Sequence, residues 1–87
     1  MKFRAIPVEI EAIQWTGENF GQVREFFGNI SMAEDRIFHT IEIRVYSDDD
    51  NFERIDVLNG DWLFKDITGK IITVGRAAFR LSYENID

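Results

Sequence analysis

Short segments in which apolar and polar residues alternate, separated by turn sequences, are the feature that most constrains this chain of 87 residues. The stretch IFHTIEIRVYS begins at residue 37, and FERIDV, WLFK and KIITV follow it with the same period of two. Asn59-Gly60 and Thr68-Gly69 separate the last three segments, and both dipeptides suit tight hairpin turns. We therefore predict a four-stranded antiparallel meander over 37–74.

The ends of the chain add further elements to this sheet. Residues 2–15 alternate and predict a first strand whose core face carries Ile6, Val8, Ile10 and Ala12. From Thr16 the apolar spacing becomes helical, which predicts a helix over 18–27 that Gly28 ends. The remaining predictions are a helical turn at SMAED (31–35), where Ser31 and Glu34 have capping-box spacing, a turn or helical turn at 75–79, and a last strand at RLSYE (80–84).

The first strand carries apolar residues on both faces, because Ile13 and Trp15 lie opposite Ile10 and Ala12. One helix of about ten residues cannot cover both sides of a sheet of five or six strands. Three explanations remain open: the sheet curls into a small barrel, a bulge near Ala12 turns Ile13 and Trp15 inward, or a partner covers the second face. If a partner covers this face, we expect a symmetric homodimer.

Length and composition favour one α+β domain over 1–87, built on a curled or barrel-like antiparallel sheet. The chain contains no cysteine, which excludes disulfides and zinc-thiolate sites. Its net charge of −6 makes nucleic acid and anionic membranes poor partners, because their phosphates repel an acidic surface. The segment MKFRAIPVEIEA holds no apolar run long enough for a signal peptide, and about 18 consecutive apolar residues occur nowhere in the sequence, so we expect a cytoplasmic protein.

The residues required for most enzymes are missing. His39 is the single histidine, and its position between Ile37 and Ile41 on the apolar face of a strand is more typical of a structural residue than of a catalytic base. The run Asp48-Asp49-Asp50 lacks the glycine of a calcium loop, so it is expected to be a solvated turn. We therefore predict no catalytic residues, no metal site and no cofactor.

Two sets of residues are candidates for binding. Exposed aromatic residues commonly anchor protein interfaces, and the apolar second face together with the turn after residue 58 supplies the first set, the protein-contact residues Ile13, Trp15, Phe38, Tyr46, Asp61 and Trp62. The second set would hold a nucleotide-like molecule between an indole and basic groups, and it comprises Trp62, Lys65, Arg76 and Arg80.

Four stretches of the chain resemble a family of small, uncharacterised proteins of tailed phages and prophages. They are LysPheArg at 2–4, PVEIEAIQWTG at 7–17, NGDWLFK at 59–65, and the spacing from Gly69 through Phe79 to Tyr83-Glu84. The resemblance hardly covers 29–56. Family members usually carry proline before Gly-Asp-Trp, and Pro-Cys followed by Pro-Asp before the phenylalanine; here Asn59, Thr73, Val74, Arg76 and Ala77 take those places. The resemblance implies a setting, a phage accessory gene expressed in the bacterial cytoplasm, and no catalytic mechanism.

The leading functional hypothesis is a non-enzymatic accessory protein of phage origin that occupies a host or phage protein, for instance to inhibit a host enzyme or a defence protein. In one version the acidic front half, with Glu9, Glu11 and Glu42, imitates the phosphates of DNA. The alternative is a module that binds a small, nucleotide-like ligand. An enzyme ranks third.

Overall fold

The computed structural model describes residues 1–2, 9–48 and 50–84. Within these ranges the chain forms two helices and six strands, arranged in two antiparallel sheets. In chain order the elements are β1 (Ala12–Gln14), α1 (Phe20–Phe27), β2 (Ser31–Asp35), β3 (Thr40–Tyr46), β4 (Phe52–Val57), β5 (Trp62–Lys65), β6 (Ile71–Val74) and α2 (Arg76–Ser82).

Sheet B is a local meander in which β3 lies between β2 and β4. Ile43 pairs with Met32 on one side and with Ile55 on the other, so these three side chains share the inner face. The outer face alternates with it and is mostly polar. This arrangement is the usual one for an antiparallel sheet with one face on the core and one in water.

Sheet A joins the two ends of the described chain, because β5 lies between β1 and β6. Ile13 pairs with Leu63, and Leu63 pairs with Thr73, which defines the face that packs on the core. The opposite face carries Trp62 and Phe64, and α2 packs over it through Phe79 and Tyr83. The rings of Trp62 and Phe79 are stacked at 4.5 Å with 7° between their planes.

The hydrophobic core lies where the inner faces of both sheets meet α1. Trp15 is its largest fully buried side chain. The other buried members of this cluster are Val23 and Phe27 from α1, Ile41, Ile43 and Val57 from sheet B, and Leu63 and Ile71 from sheet A. Burying such side chains stabilises a fold by about 1.5–3 kcal/mol each, so this shared cluster is a main source of stability.

Helix α1 confirms the helical spacing in the sequence. Val23 and Phe27, four residues apart, are its buried residues and lie on one face. The amide of Gly28 donates to the carbonyl of Arg24, and Gly28 has a φ of 74°, a left-handed value that glycine adopts without steric cost. The helix therefore ends where the sequence predicted.

The α+β class and the antiparallel pairing are confirmed, but the single sheet of five or six strands is wrong. The described residues form no closed barrel. The meander predicted over 37–74 is interrupted at Asn59-Gly60, because β4 and β5 belong to different sheets. Gly60 does have a positive φ of 95°, so the dipeptide supplies a tight turn, but this turn connects the two sheets and forms no hairpin.

Three local predictions are also wrong. SMAED forms strand β2, since five consecutive residues pair with β3 from Ser31 opposite Arg44 to Asp35 opposite Thr40. Residues 36–39 form a turn, which removes Ile37 and His39 from the strand that was predicted to begin at 37. RLSYE forms no last strand, because residues 80–82 belong to α2; Phe79 stacks on Trp62, and Tyr83, the C-cap residue, packs on Phe64.

Trp15 is fully buried in the core cluster and Ile13 packs against it, so both have the inward orientation for which a bulge near Ala12 was one explanation. Ile10 and Ala12, which were predicted to form the core face, are only half-buried. Ile6 and Val8, predicted with them, lie outside the described residues.

Candidate functional site

The turn between β2 and β3 presents two large apolar side chains to solvent. We call residues 36–39 the tip. Ile37 is 82% exposed and Phe38 is 74% exposed, although both side chains are of the kind that proteins usually bury. Single exposed apolar residues are common on proteins, but two consecutive ones on a turn form a small apolar patch that water solvates poorly.

Side-chain hydrogen bonds fix the backbone of the tip. The carboxylate Oδ1 of Asp35 accepts the amides of Ile37 at 2.9 Å and Phe38 at 3.0 Å, an Asx turn that local aspartates commonly form. His39 ends the turn with a φ of 56°, which is uncommon for a residue with a Cβ. The carboxylate and the left-handed residue together give the tip a defined conformation.

Trp15 attaches the tip to sheet A. Its indole Nε1 donates to the carbonyl of His39 at 2.7 Å, and its own backbone pairs with the turn after β4, accepting from Gly60 at 2.7 Å and donating to Asp61 at 2.9 Å. A Cβ added to Gly17 would lie 2.8 Å from the side chain of Asn59 and 3.5 Å from that of His39, so the surrounding chain is tightly packed. The tip is therefore anchored to the core of the domain.

The predicted protein-contact residues do not form one face. Trp15 is fully buried and is not accessible to a partner, and Ile13 packs against the core cluster. Trp62 lies under α2, and the carboxylate of Asp61 accepts the amide of Leu58 at 2.9 Å, which is a structural turn contact. Phe38 and Tyr46 are exposed, but they lie at opposite ends of β3. Phe38 is the predicted contact residue that lies in the tip, where it is exposed.

The predicted nucleotide-like site is not assembled either. Successive strand residues point to opposite faces, so Trp62 and Lys65, three positions apart on β5, lie on opposite sides of sheet A. Phe79 covers one face of the Trp62 indole, where a base would have stacked. Arg76 and Arg80 lie on α2, on the Trp62 side of the sheet, and Arg76 passes over Gly60. Alternation along β5 was visible in the sequence and could have excluded this set.

A cleft of about 350 Å³ opens between the two sheets. Lys65 and Lys70 line it on one side and Glu53 on the other, while Val45, Ile55 and Ile71 are among its apolar residues. Lys65, Lys70 and Glu53 are all solvent-exposed. An open cleft of this kind holds no buried polar group that would orient a small molecule, so it does not define a ligand site.

The outer face of sheet B carries charges of both signs. Arg54 lies 2.9 Å from Asp56 and 3.4 Å from Glu42, and Arg44 lies 3.2 Å from Glu42. The carboxylate of Asp56 raises the pKa of Arg54 through a hydrogen bond and its charge. Glu42 is therefore paired with cations and does not extend a row of free carboxylates of the kind that imitation of DNA requires.

Hydrogen bonds among Asp48, Asp50 and Asn51 stabilise the acidic turn after β3. Asp48 accepts the amides of Asp50 and Asn51 and both carboxylate oxygens contact the Asn51 side-chain amide, and these bonds lower the pKa of Asp48. Among the described residues, no group of three metal-ligating side chains comes together. In the same ranges no helix has the length and hydrophobicity to cross a membrane.

Sequence reasoning missed the exposure of Ile37 because the period-two pattern of 37–46 extends unbroken into the turn. Asp35 was the residue in the sequence that indicated a turn, since aspartate at the first position of a turn accepts amides two and three residues later. Comparison with family models, with curated proteins and with solved structures finds no match to this chain.

Proposed function

We propose that this chain is a non-enzymatic accessory protein that binds another protein by inserting the tip, with Ile37 and Phe38, into an apolar pocket. The observation that carries the proposal is the exposure of both side chains on a turn whose backbone is held by Asp35 and Trp15. Aromatic residues that insert into a pocket at the centre of an interface typically dominate its affinity.

The anchored backbone of the tip supports a role in binding more than it supports exposed apolar residues that have no function. A preformed loop loses little conformational entropy when it binds, so more of the contact energy appears as affinity. A mobile loop bearing the same residues would incur that ordering cost at each encounter. The hydrogen bonds of the tip thus suit a rigid ligand for a complementary pocket.

The resemblance to small proteins of tailed phages supports a bacterial cytoplasm as the setting and a host or phage protein as the partner. Occupation of a functional pocket on that partner would inhibit it, which suits a host enzyme or defence protein. The tip needs no cofactor and no catalytic group for this function.

Site-specific photo-crosslinking tests the proposal. A benzophenone amino acid replaces Phe38 in one variant and Ile67 in a control, because Ile67 is 92% exposed on the turn after β5 and is equally accessible. In bacterial cells, with and without phage infection, we expect position 38 to yield a discrete crosslinked protein and position 67 to yield none of it.

The purified partner then gives the decisive measurement. We expect Phe38→Ala to weaken binding about 30-fold or more, as loss of an anchor worth about 2 kcal/mol does, and Ile67→Ala to leave affinity unchanged. Phe38→Ala should keep the thermal midpoint of the wild type, since the removed side chain is largely in water. Equal affinities for the wild type and Phe38→Ala would refute the role of the tip.

A further inference from the structure

Strand β4 lies at an edge of sheet B and has a neighbour on one side only, β3. Four of its six residues are exposed, so the described part of the chain leaves this edge uncovered. An uncovered edge presents a row of backbone donors and acceptors that readily pairs with another strand.

The outer face of this edge has a self-complementary order of side chains: apolar, basic, acidic, apolar. Phe52, Arg54 and Asp56 alternate along the strand, and the period of two continues to the exposed Leu58 just past its end. In an antiparallel pair related by a two-fold axis through Ile55, Arg54 lies opposite Asp56 of the partner subunit. In the same register Phe52 lies opposite Leu58 of the partner subunit, and each pair occurs twice.

Neighbouring registers lose this complementarity. A two-fold axis through Arg54 places the two Arg54 residues of a dimer opposite each other, and an axis through Asp56 does the same with two carboxylates. Registers shifted by a single residue reverse one sheet, so that its core face meets the polar face of the other. The charge order therefore selects the axis through Ile55.

We infer that β4 pairs with β4 of a second copy of this chain, which extends sheet B into a six-stranded antiparallel sheet across a two-fold axis. The second copy is the occupant because the edge complements itself in charge and in apolar ends. Phe52 and Leu58 are 44% and 59% exposed in the single chain, and the pairing covers both. The surface is distinct from the tip, and the inference does not depend on the proposed function.

The existing ion pairs are compatible with this interface. Arg54 already contacts Asp56 and Glu42 of its own chain. A guanidinium carries five N–H donors in a planar fork, so it can bind carboxylates on two strands at once. The pair between Arg54 and Asp56 of the partner subunit would thus add to the ion pairs that Arg54 makes with Glu42 and Asp56 of its own chain.

Charge reversal with complementation tests the register. Sedimentation velocity or native mass spectrometry of the full chain, with a mass of 10.2 kDa, should show a concentration-dependent dimer. R54D alone and D56R alone each place like charges opposite each other twice, so we expect either variant to weaken dimerisation at least about tenfold. An equimolar mixture of the two restores opposite charges at both positions and should form a heterodimer with near wild-type affinity.

Complementation separates the interface from effects inside one chain, because mixing cannot repair an intrachain ion pair. Circular dichroism checks that each variant is folded, and Leu58→Glu provides a second variant at an exposed side chain that should also weaken the dimer. The inference would be overturned if the wild type stayed monomeric even when its concentration was raised 100-fold. A dimer that neither charge reversal weakens would also overturn it, and so would two single variants that form no heterodimer when mixed.

Discussion

Replacing Trp15 with phenylalanine separates the anchoring of the tip from simple filling of the core. The substitution keeps an aromatic ring at a fully buried site but removes the indole N–H that donates to His39 at 2.7 Å. The carbonyl of His39 then loses its anchoring donor. We expect both lower stability and a more mobile tip.

The magnitude follows from two contributions. Loss of the hydrogen bond costs about 1 kcal/mol net. The smaller ring leaves part of the indole volume unfilled, which costs about 1–2 kcal/mol for a core that relaxes only partly. The sum is about 2–3 kcal/mol, and for a domain of this size each kcal/mol lowers the thermal midpoint by roughly 4–8 °C.

Urea unfolding followed by circular dichroism measures the change in free energy, and Trp62→Phe is the matched control. Trp62 is half-buried and stacks on Phe79, a contact that a phenyl ring can keep, so the control should lose less than about 1 kcal/mol. Amide hydrogen exchange of Ile37 and Phe38 should accelerate in Trp15→Phe and stay unchanged in Trp62→Phe.

Equal stability losses in the two variants would refute the reasoning, because they would show that burial and hydrogen bonding of the Trp15 indole add nothing. Unchanged exchange at Ile37 and Phe38, despite a large stability loss, would show that Asp35 alone holds the tip.

Two further predictions concern the β5–β6 turn and α2. The pKa of Asp66 is lowered, chiefly because the Thr68 hydroxyl donates a hydrogen bond of 2.6 Å to its carboxylate. The ionised carboxylate therefore contributes its full stabilisation above the ordinary pKa of 3.8, and this stabilisation is lost as the pH falls through the lower pKa of the folded state. Asp66→Asn should therefore be less stable near pH 7, and its difference from the wild type should shrink in acid denaturation curves below pH 4; a constant difference would contradict this. Phe79→Ala removes the ring that stacks on Trp62, so tryptophan emission should shift to the red and the free energy of unfolding should fall by about 1–2 kcal/mol. An unchanged spectrum would show that α2 does not cover that indole.

The sequence predicted elements whose local chemistry and tertiary contacts agree. The spacing of Val23 and Phe27 and the glycine at 28 predicted the end of α1 correctly, although the helix begins at Phe20 and not at residue 18, and the turn at Gly69, with a φ of 85°, joins β5 and β6 as predicted. In each case the residues that define the element also make its contacts, so a local pattern was sufficient.

The failures arise where a distant partner decides the structure. Asn59-Gly60 makes a tight turn in any context, but whether its flanking strands pair depends on β1, which takes the position beside β5. Helix α2 extends to Ser82 and brings Phe79 onto the Trp62 ring, a distant contact that the local pattern does not reveal. The tip was predicted as strand because Ile37 continues an alternating pattern. Asp35 was the local indication of a turn, and the bond from Trp15 to His39, which is distant in sequence, was not visible in the pattern.

The strand order also has a consequence for how the chain is made. Sheet B and the β5–β6 hairpin each form from neighbouring segments, whereas β1 must find a partner far along the chain; its Gln14 side chain bonds Gly60 at a separation of 46 positions. Such distant pairings are the slow steps of folding, since a long loop must close first. During synthesis β1 is translated before β5, so the strand that carries Ile13 waits for the partner on which Leu63 lies until β5 has emerged.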